Sequence, residues 1–201
     1  MYQRGFCAAN DGNLSARLAS SRVLCTPTLI SKGFMKTGDL CVVDLTGRQV
    51  SGRRRRTSEI LLHLALYRAR PDVRAVVHCH APHATAYAVT GASLPSGILA
   101  ESELFLGDVP IVPYETPGTP AFAALIEPHA HSACAAILKN HGVVTWADSL
   151  ERAWWWAEIL DTYCRILLLA KSLGAPDPIP DDKRRELWTL RKKLLEATAP
   201  A

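Results

Sequence analysis

A chain of 201 residues with 48% hydrophobic and 21% charged side chains has the size and make-up of one globular domain with a substantial core. Its net charge of +4 is mild and scattered, which argues against nucleic acid and suits a small anionic ligand. No apolar run approaches the ~20 residues that span a bilayer, residues 1–6 carry no hydrophobic leader pattern, and the six cysteines sit singly in apolar segments without a CxxC pair, as in a reduced cytoplasmic protein rather than a disulfide frame.

In chain order, residues 12–18 alternate like a strand and 22–25 read as its hairpin partner. Thr26-Pro27-Thr28 is a loop. A third strand is expected over 39–45, turned by Thr46-Gly47 into a fourth over 48–51. The run Arg53 to Arg56 reads as a solvated loop that can steer anions without ligating them. A helix is expected to open at Thr57-Ser58-Glu59, with Ile60, Leu61, Leu64 and Tyr67 at helical spacing and Pro71 closing it. The next strand ends in His78-Cys79-His80, and a short helix over 83–89 stops at Gly91; residues 92–107 carry no clear period. A short strand over 109–112 and a helix over 119–127 precede two strands, 134–138 and 143–146, that flank the Asn140-His141-Gly142 turn. Asp148 is expected to cap a long helix to about residue 173, with Glu151 completing a capping box. Residues 1–174 then form one domain, and 175–201 a Pro-rich linker with a basic C-terminal helix. Hairpins first and interleaved helices later suggest one mixed sheet covered by helices.

Alternate strand residues share a face, so His78 and His80 can turn two nitrogens toward one metal ion. His129-Ala130-His131 has the same spacing but follows Glu127-Pro128 in a polar connection, and is expected to be solvated. His141, at a hairpin tip, would complete a three-imidazole site of the kind that holds zinc with one position open, with Gly142 supplying any positive φ the turn needs. Glu59 stands at a helix start and reads either as a plain first-turn acid or as a fourth ligand or base. The same helix start, with the Thr57 and Ser58 hydroxyls, is a ready anion site, and Gly12-Asn13 and Thr28 add amides and a hydroxyl of similar use.

Gly12-Asn13-Leu14-Ser15-x-Arg17, Thr26-Pro27-Thr28, Ser58-Glu59, Ala75-Val76-Val77-His78-Cys79-His80-Ala81, Pro113-Tyr114-x-x-x-Gly118-Thr119 and Asn140-His141-Gly142 occur in this order. Together they make the chain resemble the class II aldolase/adducin family, and most of all its L-fuculose-phosphate-aldolase branch. The resemblance implies a three-layer α/β/α sandwich around a mixed, largely antiparallel sheet, in homotetramers with active sites between subunits. It implies Zn2+, or another divalent ion such as Mn2+, Co2+ or Fe2+, on His78, His80 and His141, with Glu59 as neighbouring carboxylate and proton shuttle. It places the substrate phosphate among Gly12, Asn13, Thr28, Thr57 and Ser58, where Leu29 replaces a common glycine on one wall.

The implied reaction is cleavage of a small ketose 1-phosphate to dihydroxyacetone phosphate and an aldehyde. The alternatives are a methylthioribulose-1-phosphate dehydratase-like lyase and an adducin-like binding module without chemistry. The tyrosine acid expected between 94 and 107 is missing; Leu99 stands near its place, and Glu101 is the favoured substitute, with Glu103 close by.

Overall fold

The computed structural model describes residues 1–19 and 21–197. Eight strands, β1 (Asn13–Ala19), β2 (Arg22–Cys25), β3 (Cys41–Asp44), β4 (Gln49–Ser51), β5 (Ala75–Cys79), β6 (Ile111–Val112), β7 (Ala135–Leu138) and β8 (Gly142–Ala147), form a single sheet. Its order is β4-β3-β2-β1-β5-β8-β7-β6, antiparallel throughout except for the parallel β6–β7 pair at one edge. This is the mixed, mainly antiparallel sheet expected. Among the described residues no helix is long and apolar enough to cross a membrane.

The period-2 pattern of the central strands builds two cores. Val76, Ala136, Leu138, Val144 and Trp146 pack on one face against α1 (Ile60–Ala69) and α4 (Pro120–Ala124). Ala75, Val77, Cys79, Ala135, Ile137 and Val143 pack on the other face against α2 (Pro82–Thr90), α3 (Ala100–Phe105) and α5 (Leu150–Ala170). His78 shares its face with Val76, and so points toward the side on which α1 begins.

Three details differ from the sequence-based expectation. The cap of α5 is Ser149, whose hydroxyl accepts from Arg152 N at 3.2 Å; Asp148 instead pairs with the Arg152 guanidinium at 2.6 Å. The expected Asp148–Glu151 capping box does not form: Asp and Ser are about equally good caps and sit side by side, and with Ser149 as the cap the third helical residue is Arg152. Residues 92–107 contain α3, six residues long and therefore too short to show a period. The C-terminal helix α6 (Asp181–Ala197) packs directly on it. Buried Glu103 accepts from Arg184 Nε at 2.9 Å, Trp188 Nε1 at 2.8 Å and Gly97 N at 2.5 Å, and Ile179 N donates to Gly97 O at 2.7 Å. Burial would raise the Glu103 pKa, but these donors bring it below its ordinary value. Glu103 is thus an anchor for α6, with no role left for it as an acid.

Candidate active site

The antiparallel register sets Asn13 opposite His78, and His78 opposite Val144, across the central strands β1, β5 and β8. Their common end, with the hairpin tip at His141 and the start of α1, brings four side chains together. The ligand nitrogens of His78, His80 and His141 all lie within 4.8 Å of one another. Glu59 reaches in from the helix start, with Oε2 3.3 Å from His78 Nε2 and Oε1 3.3 Å from His141 Nε2. It occupies the N-cap position of α1 itself, one step before the expected first turn, and its backbone N–H is held by Thr57 Oγ1 at 3.3 Å. The carboxylate is therefore free to turn away from the helix.

Hydrogen bonding fixes which ring atoms carry protons. His78 Nδ1 lies 2.9 Å from Val143 O, which can only accept, so the neutral ring holds its proton on Nδ1 and bares a lone pair at Nε2. His80 Nδ1 faces Asp11 Oδ2 at 3.1 Å, which does the same for that ring. The two bared Nε2 atoms stand 3.3 Å apart, beside the Glu59 oxygen. Lone pairs pointed at one another repel unless a cation lies between them, and Glu59 Oε1 is buried without a hydrogen-bond partner among the described residues. This donor set fits a divalent metal ion.

Burial pushes the His78 pKa down to about 3 and that of His141 to about 4, with neighbouring imidazoles adding to the effect. His63, fully buried on α1, is also pushed to about 3, chiefly by burial. All three rings are thus neutral near pH 7. Unfolded, each titrates near ~6.5, so between that value and the depressed folded values only the unfolded chain binds the proton. The metal-free protein is expected to keep this stability above pH 6.5 and lose it on acidification, by up to ~1.4 kcal/mol per pH unit for each ring. Denaturant midpoints from pH 7 to pH 5 measure it, and a flat profile would refute it.

Around these groups, three loops are pinned together. Thr26 N donates to Leu14 O (3.0 Å) and Leu14 N to Thr26 Oγ1 (3.1 Å); Thr57 N donates to Thr26 O (3.1 Å), and Thr28 N to Arg55 O (3.0 Å). The structure therefore gathers Gly12, Asn13, Thr28, Thr57 and Ser58 on adjoining segments. Asn13 is a partial exception: its side chain is committed inward, to Glu59 Oε2 (2.7 Å) and His63 Nε2 (2.6 Å), which leaves only its backbone for an anion. Arg53 and Arg54 are tied to Asp39 at 3.0 and 3.1 Å, consistent with a structural role for much of the arginine run.

Two backbone features depart from expectation. The positive φ of the His141 turn belongs to Asn140, at +55°, a residue that tolerates the left-handed region. Gly142 is needed for a different reason: a Cβ there would lie 2.6 Å from Cys79 O and 2.7 Å from His80 Cδ2. Leu29 has φ +57° and is 76% exposed, so a leucine sits on a backbone that glycine would adopt freely. Leu29→Gly is expected to cost no stability and to gain up to ~1 kcal/mol, since relief of the left-handed strain outweighs the small packing loss. A lower denaturant midpoint for the variant would contradict this.

Asp11, His63 and Lys32 are site neighbours that the sequence pattern does not single out. His63 follows Glu59 by four residues, the helical spacing that could have disclosed it. Lys32 Nζ donates to Asn10 O (2.8 Å) and Ile30 O (3.0 Å); its half-burial lowers its pKa, while Asp11 and Glu59 oppose the shift. Glu101, by contrast, is exposed on α3 and shares no hydrogen bond or ion pair with the four converging residues. The His129 and His131 pair does not join them either, His131 lying instead on a cavity of about 850 Å³ lined by Arg70, Arg74, Trp146 and Arg191 at the opposite end of β5 and β8.

Residues 1–168 match the family model described as "Class II Aldolase and Adducin N-terminal domain". The chain is 34% identical to an L-fuculose phosphate aldolase of Methanococcus vannielii, over 83% of this chain and 88% of that one. It is also 34% identical to a 3-oxo-tetronate 4-phosphate decarboxylase of Haemophilus influenzae, over 76% and 74%. Among solved structures, an L-fuculose 1-phosphate aldolase superposes with a TM-score of 0.86 at 29% identity, covering 94% of this chain and 90% of that one.

Proposed function

Because the chain belongs to the class II aldolase and adducin family, we propose that it is a metal-dependent lyase that cleaves a small ketose 1-phosphate to dihydroxyacetone phosphate and an aldehyde. The observation that carries this reading is the convergence of three imidazoles, two of them with a bared Nε2, and Glu59 beside a cluster of loop amides and hydroxyls. His78, His80 and His141 would hold a divalent ion, zinc being well suited to three nitrogens, which when bound supplies Lewis-acid stabilisation to the enediolate.

This chain's residues do the rest. Glu59 moves the proton at the nucleophilic carbon, a contribution of ~10²–10⁴ in rate. Gly12, Thr28, Thr57, Ser58 and the Asn13 backbone hold the phosphate, and the Lys32 ammonium helps to offset its charge. The hydroxyl that becomes the aldehyde oxygen must also give up its proton as the carbon–carbon bond breaks. Exposed Glu101 is proposed as the base that takes it, reaching the site of a neighbouring subunit in a homotetramer.

The lack of a second acid–base group among this chain's own converging residues favours one other reading. Loss of CO₂ from a phosphorylated 3-oxo acid uses the same enolate chemistry and has no hydroxyl to deprotonate. One relative is named for that reaction. The test is incubation of metal-loaded protein with a panel of ketose 1-phosphates and 3-oxo-acid phosphates, scoring dihydroxyacetone phosphate and CO₂. Dihydroxyacetone phosphate supports the aldolase, and CO₂ alone replaces it with the decarboxylase. Neither product from any member would leave the dehydratase-like lyase, told by loss of water from the ketose 1-phosphate, or, with no turnover at all, a binding module without chemistry.

A further inference from the structure

Behind Glu59 lies a buried line of polar side chains that the proposed chemistry does not touch. Asn13 Nδ2 is 2.7 Å from Glu59 Oε2, and Asn13 Oδ1 is 2.6 Å from His63 Nε2. His63 Nδ1 is 2.7 Å from Ser15 Oγ, which in turn is 2.8 Å from Tyr67 OH. Ser15, His63 and Tyr67 are each at most 2% exposed, and Asn13 4%.

Donor and acceptor rules orient every link. A carboxylate only accepts, so the Asn13 amide must turn its NH₂ to Glu59 and its oxygen to His63. The His63 proton must then sit on Nε2, which makes Nδ1 an acceptor. The Ser15 hydroxyl donates to that Nδ1, and its oxygen accepts from the Tyr67 hydroxyl. All the donors thus point one way, toward the carboxylate.

We propose that Tyr67, Ser15, His63 and Asn13 form a one-way hydrogen-bond relay that positions Glu59 for proton transfer, with His63 as the positioning residue that locks the Asn13 amide. The inference rests on the reading that Glu59 moves a proton. A protonated or flipped imidazole would donate or withdraw at the wrong ends and let the amide turn its oxygen toward the carboxylate. Burial keeps His63 neutral across the working range, so the direction holds.

The relay is tested in two arms. In the zinc-loaded protein without substrate, ¹⁵N imidazole spectra, with His63→Gln used to assign the resonance, should show a neutral His63 with its proton on Nε2. A proton on Nδ1, or on both nitrogens at pH 7, overturns the proposal. In the second arm, Ser15→Ala should lower kcat about tenfold, the scale of one buried hydrogen bond, with KM within twofold, and Ser15→Thr should recover the rate. A kcat loss under threefold, a loss carried by KM, or a loss that Ser15→Thr shares overturns it. Should Ser15→Ala fold poorly, Tyr67→Phe keeps the ring and removes only the end donor. It should lower kcat by the same factor at unchanged KM, and a loss under threefold or one carried by KM overturns the relay there too. The spectrum needs no turnover, so its outcome is separate from the choice of reaction; Glu59→Gln keeping its rate would sink the function and leave the spectrum standing.

Discussion

His78→Ala is expected to release nearly all the divalent metal from the purified protein and to abolish turnover. His78 is wholly buried, its Nδ1 is spent on Val143 O, and its Nε2 is the atom nearest both His80 and Glu59. Removing it leaves two nitrogens, too few for a stable zinc site. His141→Ala should behave alike, through loss of the ring 4.6 Å from that of His78. His129→Ala and His131→Ala are the controls and should retain about one metal per chain. Elemental analysis giving His141→Ala the metal content of the parent would remove the central claim.

The second large effect concerns Glu59. Glu59→Gln keeps the size and leaves Asn13 Nδ2 an oxygen to donate to. It removes the negative charge between His78 and His141, and with it the capacity to take a proton. Turnover is expected to fall by ~10²–10⁴, with the substrate KM within a few-fold of the parent because the phosphate loops are untouched. Steady-state kinetics on the best substrate of the panel measure both. A kcat within a few-fold of the parent would reduce Glu59 to a residue that merely opens its helix.

The convergence of the three histidines was legible because each lies in an element with a strong local pattern. His78 ends an apolar strand and His141 tips a hairpin, while His129 follows Pro128 in a polar turn. The fold class followed from the same alternation, since strand period and hairpin turns are written into neighbouring residues. What was not legible depends on distant contacts. Helix α3 owes its six residues to the Glu103–Arg184–Trp188 cluster, whose partners are more than 80 positions apart. The inward turn of Asn13 depends on His63, 50 positions away, and no local rule ranks that over an anion-binding role. The need for glycine at 142 has a different cause from the one its local sequence suggests: the close approach of Cys79 O is tertiary, whereas positive φ is a local property and went to Asn140.

The register that sets Asn13, His78 and Val144 side by side across three strands also governs how the protein matures. Those strands are separated by whole elements of the chain, β2 to α1 between β1 and β5 and α2 to β7 between β5 and β8, so their pairing is non-local and slow to form. No fragment that ends before His141, the residue preceding β8, contains all three histidines. An ion that recognises only the finished sheet would therefore arrive last and act as a latch, adding ~2.7 kcal/mol at a free concentration a hundredfold above its dissociation constant. Chelation should consequently loosen amide protection first at the His78 end of β5 and at its neighbours on β1 and β8, while the Ala147 end of the sheet stays closed.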